Sequence, residues 1–479
     1  MMNKYDEPIN EPVLVSLLAY VFLAWYLVVI FVAYNGFFHI IFKFTRNSRS
    51  KINSLINVSE LEGVTILRPL KGIDPELEIC LRSSFEQKYP KSKLEIIFCV
   101  QDKDDPSIPV VEELISQYPD VDAKLMMDEN QDAKDSYGPN PKVNNLAKGY
   151  KAAKHDILWI QDSNVWSHPD TLQRSVVSLT RSLNNGRPTS RKVNLIHHAP
   201  LAVSLGDFPT ATLGANLDEL FLATSHSKFY VSFNELAVAP CVNGKSNVYR
   251  RSDLDEAVFR MGQQATDPSS NGQSGNVHKD AKYYSLHPGQ GIRFFARYIG
   301  EDNMIGIALW DYGHGRTGMT GDCVVQPLGG SNCLMDYCYR RTRWLRVRKY
   351  MVLAATLLEP TTECFLCGLY GSFAVGVIFQ HILFSKSYFV FHVVAWFLTD
   401  WIQLQHLFDC VRGGDPQEPF FINLESRKTP DKGLRWFFMH WFLRELLAFP
   451  IWVAAMLGSQ IDWRGQTFRI KSDLSAEKV

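Results

Sequence analysis

An α/β domain with a mainly parallel sheet, held between membrane-embedded ends, is the architecture this sequence predicts. Three observations lead there. Val13 to Phe42 contains no Asp, Glu, Lys or Arg, enough to cross a bilayer core of about 30 Å with tilt. Residues 63 to 326 alternate short runs of branched apolar residues with helical stretches, the pattern of strands joined by helical crossovers. Beyond Lys349 the chain turns apolar again, and Cys364 to Phe384 carries no charge.

Each element follows in order. Residues 1–12 form an acidic tail (Asp6, Glu7 and Glu11 against Lys4), and residues 13–42 form the anchor. No small-residue cleavage site follows, so the span is not a cleaved signal peptide. Residues 43–62 are a basic linker carrying Lys43, Arg46, Arg49 and Lys51. That flank puts residue 43 onward in the cytosol and the tail in a lumen. Asn57-Val58-Ser59 matches a glycosylation acceptor but goes unused on the cytosolic side.

Within 63–326, strands are expected at Val64–Leu67, Leu94–Val100, Ile157–Gln161 and Asn194–His197. Helices are expected at Pro75–Glu86, Ser107–Gln117, Lys142–Ala153 and His168–Ser182. Asp128–Tyr137, Arg181–Lys192 and Gly262–Gly291 look inserted, the last being a Gln, Ser, Gly and Asn-rich surface loop. Residues 327–350 are an interfacial segment ending in the basic run Arg340 to Lys349.

Residues 351–461 return to the membrane, yet Tyr388–Leu407 contains Asp400, and Trp436–Leu457 contains Arg444-Glu445 and Pro450. Such charges are costly in lipid and should face protein or a watery cleft. Three spans there would leave the tail 462–479, with Arg464, Arg469 and Lys471, on the lumenal side against the charge rule. A re-entrant or interfacial segment would remove the conflict.

Fifty Lys and Arg balance fifty Asp and Glu, which removes any case for nucleic acid as a main partner. Nine scattered cysteines suit a reduced compartment rather than a disulfide scaffold. Cys364-x-x-Cys367 lies in an apolar helical stretch and reads as packing, with no second ligand pair nearby.

Three acidic words carry the chemistry. Asp102 ends the Leu94–Val100 strand region, Asp162 ends Ile157–Gln161, and Asp302 follows Glu301 at the start of an apolar helical turn. Ligands of open α/β sheets bind off the carboxyl ends of strands. An acid at the first place can hold a ribose or base, and one at the second a divalent cation with Asn164 as neutral ligand. The third can act as a general base. Taken singly, each acid serves equally as a turn or helix-start residue. Downstream, Arg340-x-x-Arg343-Trp344 offers guanidinium forks for phosphate and a Trp for the headgroup level. No G-x-x-x-x-G-K-S/T loop or G-x-G-x-x-G helix start occurs, which disfavours NTPase and dinucleotide readings.

Together these words resemble the inverting, membrane-bound glycosyltransferases of GT-A fold, and most closely their ceramide glucosyltransferase branch. The matching words are Val100-Gln-Asp-Lys-Asp-Asp-Pro106, Asn140-Pro-Lys-Val-Asn-Asn-Leu146, Trp159-Ile-Gln-Asp-Ser163, Thr224-Ser-His226, Glu301-Asp302 and Arg340-x-x-Arg343-Trp344. The three acids and R-x-x-R-W are shared with processive synthases, whereas the longer words narrow the match.

The resemblance implies a catalytic base at Asp302. It implies substrate contacts at Asp102, Lys142, Asp162, His226, Arg340, Arg343 and Trp344, and a divalent cation, Mg2+ or Mn2+, at Asp162. Asn164 departs from a strict D-x-D clamp. The implied partners are UDP-glucose, ceramide and the bilayer, and the implied place is the Golgi membrane with the catalytic domain in the cytosol. A processive polysaccharide synthase of the same fold and a non-catalytic membrane scaffold are the alternatives.

Overall fold

The computed structural model describes residues 13–128, 137–205, 212–264, 281, 284, 289–412, 418–422, 432–463, 466–471 and 474–479. Its centre is a seven-stranded sheet built from the apolar runs. The strands are β1 (Val64–Leu70), β2 (Leu94–Val100), β3 (Asp122–Met127), β4 (Ile157–Gln161), β5 (Val193–His197), β6 (Ser246–Arg250) and β7 (Arg316–Gly318), in the order β7-β5-β6-β4-β1-β2-β3. β1 runs parallel to β2 and β4, and β2 parallel to β3. Only β6 runs antiparallel, between β4 and β5. The expected α/β class with a mainly parallel sheet is what the chain adopts.

Every residue of β1, β2, β4 and β5 is buried, as a sheet covered on both faces requires. The alternation sorts side chains between two cores. Leu67, Ile97 and Ile160 pack on one face against Val143, Leu146 and Tyr150. Ile66, Phe98 and Trp159 pack on the other against Leu81, Phe85 and Leu114. The four expected helices form at Leu77–Phe85, Ile108–Gln117, Pro141–Ala152 and Thr171–Thr180.

Part of Arg181–Lys192, read as an insertion, is a hairpin of Leu183–Asn184 with Arg187–Pro188. Its Asn185-Gly186 corner has φ of 49° and 73°, the left-handed pair such a two-residue turn needs. Most of Gly262–Gly291 and of Asp128–Tyr137 lies outside the described residues.

Eight helices position the site: α1 (Val13–Lys43), α2 (Pro141–Ala152), α3 (Leu213–Phe221), α4 (Ser227–Leu236), α5 (Glu301–Ile307), α6 (Leu334–Met351), α7 (Lys386–Val411) and α8 (Leu434–Leu457). By length and composition, α1 and α8 are long and apolar enough to cross a membrane. Leu353–Thr362 and Cys364–Gln380 meet that test only as a pair bent by 78°, the geometry of a broken span or a re-entrant loop. The bend falls at Glu363, and the charge-free stretch is helical from Cys364 to Gln380, ending where His381 turns left-handed with φ of 55°.

α1 packs on α4 so closely that a Cβ on Gly36 would collide with the Lys228 carbonyl oxygen. Cys364 and Cys367 are buried free thiols in the core between these helices, in keeping with a packing role.

Charges inside this helical region all find protein. Lys228 Nζ lies 2.7 Å from Asp400 Oδ1, and Trp441 Nε1 donates to Asp400 Oδ2 at 2.8 Å. Arg444 pairs with Asp400 at 3.4 Å and with Glu445, and it donates to Thr224 and, at 2.8 Å, to Ser225 Oγ. Gln403 Nε2 donates to the Ala223 and Thr224 carbonyls at 2.8 and 2.9 Å.

Candidate active site

Backbone polarity at the strand ends fixes where the site forms. Asn145, on α2, donates its amide to the carbonyls of Leu70 (3.0 Å) and Cys99 (2.7 Å), tying the ends of β1 and β2 together. Arg68, fully buried, donates to the carbonyls of Asp162 (2.7 Å) and Val165 (3.0 Å) and so holds the turn after β4. The Asp162 N–H donates to the Lys245 carbonyl at 3.0 Å, which closes β4 onto the Asn243-Gly244-Lys245 turn before β6. Three loops are thereby locked around one cavity of roughly 1060 Å3.

Lys142 organises the charged end of that cavity. Its ammonium sits 2.8 Å from Asp162 Oδ1 and 3.1 Å from Glu301 Oε1, and donates to the Gly244 carbonyl at 3.1 Å. Burial works against the charge, but Asp162 and Glu301 outweigh it and raise the ammonium's pKa above the usual value. Asn140 caps α2, accepting from the Lys142 and Val143 N–H groups. Its own amide donates to Glu301 Oε2 at 2.8 Å and to the Tyr298 carbonyl at 2.7 Å. The Asn140–Leu146 word thus carries both the cap and the ammonium that join α2 to α5.

Asp302 is the second residue of α5. Burial, then the charge of Glu301, pushes its carboxyl up to about 7, with Lys142 pulling the other way. A carboxyl poised near neutrality is half available as a proton acceptor, the property a general base needs. Gly244 makes room for this arrangement. A Cβ there would lie 3.1 Å from Lys142 Nζ and 3.2 Å from Asp302 Oδ2.

α6 forms the opposite wall. Its helical repeat sets Asp336, Arg340, Arg343, Trp344 and Val347 along one side, and all five line the cavity. It approaches α5 at Gly300, where a Cβ would lie 2.9 Å from Val347 Cγ1. Arg340 is ion-paired with the buried Asp218 of α3. Arg341 lies over the Phe221 ring at 3.6 Å and near Glu359, which also binds Arg348 at 2.7 Å. Trp344, expected as a substrate contact, lines the cavity, its ring centroid 6.3 Å from that of Phe221.

His226 ends a π-helical turn, Leu222–His226, between α3 and α4. Its ring stacks on Tyr230 at 5.0 Å, and its Nδ1 is buried without a hydrogen bond. Burial, reinforced by Arg341 and Arg348, pushes its pKa down to about 3, so the imidazole is neutral at physiological pH.

Seven of the eight residues expected at the site therefore line one cavity: Lys142, Asp162, His226, Asp302, Arg340, Arg343 and Trp344. Asp102 does not join them. It is exposed one residue beyond Gln101, which does line the cavity, and it accepts from the Asp104 N–H at 3.0 Å.

Glu301, Asp218 and Lys245 also line the cavity and escaped the sequence reading. Glu301 was visible beside Asp302, and Lys245 follows an Asn-Gly pair at a strand start. Asp218 had no local signal, because only the fold brings α3 to α6. Trp25, Val28, Val29 and Val32 of α1 form an apolar end to the same cavity.

A model of Glycosyl transferase family 21 matches residues 10–258 and 272–476. The chain belongs to glycosyl transferase family 21. The ceramide glucosyltransferase of Komagataella phaffii is 53% identical across 99% of this chain and 95% of its own length. That of Candida albicans is 48% identical across 96% of this chain and 97% of its own. Among solved structures, a mannosyltransferase from Pyrobaculum calidifontis in complex with GDP-Man and Mn2+ matches at 12% identity and a TM-score of 0.39, over 92% of this chain and 98% of that one. At that distance it bears on no residue here.

Whether this family 21 site suits a divalent cation can be judged from its donors. No cluster of three His, Cys, Asp or Glu side chains able to hold a metal occurs among the described residues. Asp162 offers one carboxylate, with Lys142 already on one oxygen, and Asn164 lines the cavity beside it. Such a donor set fits Mg2+ or Mn2+ only where a ligand's own phosphate oxygens complete the shell.

Proposed function

We propose that this chain transfers glucose from UDP-glucose to the primary hydroxyl of ceramide, with inversion at the anomeric carbon, on a GT-A scaffold. The observation that carries the reading is the composition of that cavity. One end gathers the Asp302 carboxyl, the Lys142–Asp162 pair and the arginines of α6. The other is closed by apolar residues of a helix long enough to cross a membrane. A soluble sugar donor and a lipid acceptor need those two environments side by side. The close kinship to ceramide glucosyltransferases supports the same substrates.

The chemistry is one in-line displacement. The acceptor oxygen attacks the anomeric carbon as Asp302 takes its proton. The bond from that carbon to the β-phosphate oxygen breaks, and its electron pair leaves with the diphosphate. Arg343 stands at the cavity wall to meet the growing charge, and Asp102 stays available to the nucleoside from the strand end. Arg340 holds Asp218 through one guanidinium nitrogen and keeps its remaining N–H donors for phosphate. Neutral His226 presents a hydrogen-bonding nitrogen rather than a charge. A divalent cation held by Asp162 would supply further neutralisation of the diphosphate.

Purified chain in lipid nanodiscs, given labelled UDP-glucose and a fluorescent ceramide, should yield one glucosylated lipid with a β-linkage. Failure to glucosylate ceramide, or a polymeric product, would overturn the reading. In cells the domain between residues 63 and 326 should face the cytosol from a Golgi membrane. Protease added to sealed vesicles should digest it, and full protection would refute that orientation.

A further inference from the structure

The cations around the cavity differ in whether protein already satisfies them. Lys142 has Asp162 and Glu301, Arg340 has Asp218, and Arg341 and Arg348 share Glu359. Lys245 lines the same cavity, yet its ammonium makes no ion pair or hydrogen bond with any described residue. Its main chain, in contrast, is pinned. The carbonyl accepts from the Asp162 N–H at 3.0 Å, and the N–H donates to Asn243 Oδ1 at 3.1 Å. Asn243 in turn donates its N–H to the Tyr230 hydroxyl at 3.2 Å. Burial lowers the Lys245 pKa, with Asp162 and Asp74 attracting its charge and Lys142 and Arg343 repelling it.

Lys245 is half-buried at the wall of the cavity, and an ammonium there with no ion pair among the described residues is a ready donor to a bound anion. The place fits a doubly charged anion. It adjoins the end of β4, where Asp162 stands, and it shares the field of Arg343 from the other wall. We propose that Lys245 binds a phosphate of a nucleoside diphosphate, acting with Arg343 as the pair of cations that grips the donor and its leaving group. This rests on the donor-sugar reading above and adds a residue to it. Lys142, whose charge is committed to two carboxylates, then positions Asp162 and Glu301 rather than phosphate.

The experiment uses the full chain in nanodiscs with Mg2+ and measures binding of UDP, UMP and uridine to the wild type, Lys245→Met and Lys245→Arg. Met keeps the length of the apolar stem and deletes the charge. In Lys245→Met, affinity for UDP should fall by about tenfold, a typical loss for one charge-assisted contact. UMP should lose less and uridine nothing, and Lys245→Arg should recover most of the UDP affinity. The KM for ceramide should not move.

Equal weakening of UDP and uridine would mean that the lysine only shapes the turn, and would overturn the proposal. Unchanged UDP affinity in Lys245→Met would overturn it as well. Should Lys245→Met fail to fold, Lys245→Gln takes its place under the same criteria. Absence of UDP binding in the wild type would sink the donor reading itself, and this assignment with it. Normal wild-type binding matched by the variant would sink the lysine alone.

Discussion

Asp302 sits between two acids and one ammonium, and the balance among them sets its use. Burial and Glu301 raise its carboxyl to about 7, and only the base form can accept a proton from a hydroxyl. The sign follows directly: the working form is held above about pH 7 and lost as pH falls through it. Turnover should therefore show an acid limb near neutrality, not near the value of about 4 for a free aspartate. A kcat profile flat from pH 5 to 8 would contradict this. Asp302→Asn has nearly the same size and cannot take the proton, so turnover should drop by roughly 10²–10⁴-fold while UDP binding survives. His226, already neutral at about 3, should add no limb of its own in that range. Arg343→Lys keeps charge but loses the planar fork, and its UDP inhibition constant should rise several-fold.

At the scale of elements, the site depends on how closely the Asn243–Lys245 turn, α2 and α5 approach. Gly244→Ala introduces a methyl 3.1 Å from Lys142 Nζ and 3.2 Å from Asp302 Oδ2. Both are ends of side chains, so the fold can yield, but the base and the ammonium must part by a few tenths of an ångström. Turnover should fall by about tenfold, in line with the sensitivity of catalysis to small misplacements. The thermal midpoint should barely change, and a variant with full turnover would show that the contact is incidental.

The elements themselves were legible where periodicity spoke. Buried strands β1, β2, β4 and β5 announce themselves as unbroken branched runs, and Asp162 follows from the rule that sites form at strand ends, whereas Asp302, at a helix start, stood out through the resemblance. R-x-x-R-W becomes informative once it lies on a helix, because that spacing puts all three side chains on one face. What sequence could not convey is partnership across the fold. Arg340 looks free until Asp218 arrives from α3. The same blindness hid Lys245, which the fold brings to the cavity without an ion pair among the described residues. Asp102 shows the reverse: a strand-end acid whose side chain stays exposed.

Across the whole molecule, buried polar contacts tie α7 and α8 to the turn that ends at His226. Asp400 of α7 meets Lys228 of α4, Trp441 of α8 and Arg444 of α8. Arg444 then reaches Thr224 and Ser225, inside the turn that ends at His226. Charges of this kind in apolar stretches were legible as Asp400 and Arg444-Glu445, but their target was not. Through them, α7 and α8 hold a segment of the cavity wall from behind. Asp400→Asn keeps the shape and deletes the central negative charge, leaving Lys228 with no carboxylate and Arg444 with Glu445 alone. Breaking a buried pair from one side typically costs about 3–5 kcal/mol. The unfolding midpoint in nanodiscs should fall clearly. Near the permissive temperature, where the chain is still folded, the KM for ceramide should rise more than the KM for the sugar nucleotide, because the loosened turn adjoins the apolar end of the cavity. A paired replacement, Lys228→Met with Asp400→Leu, removes both charges and should recover part of the stability, since apolar substitutes of similar volume can replace buried ion pairs. If Asp400→Asn lowered stability while leaving both KM values unchanged, the network would be a brace for the helices and no part of the wall that faces the substrate.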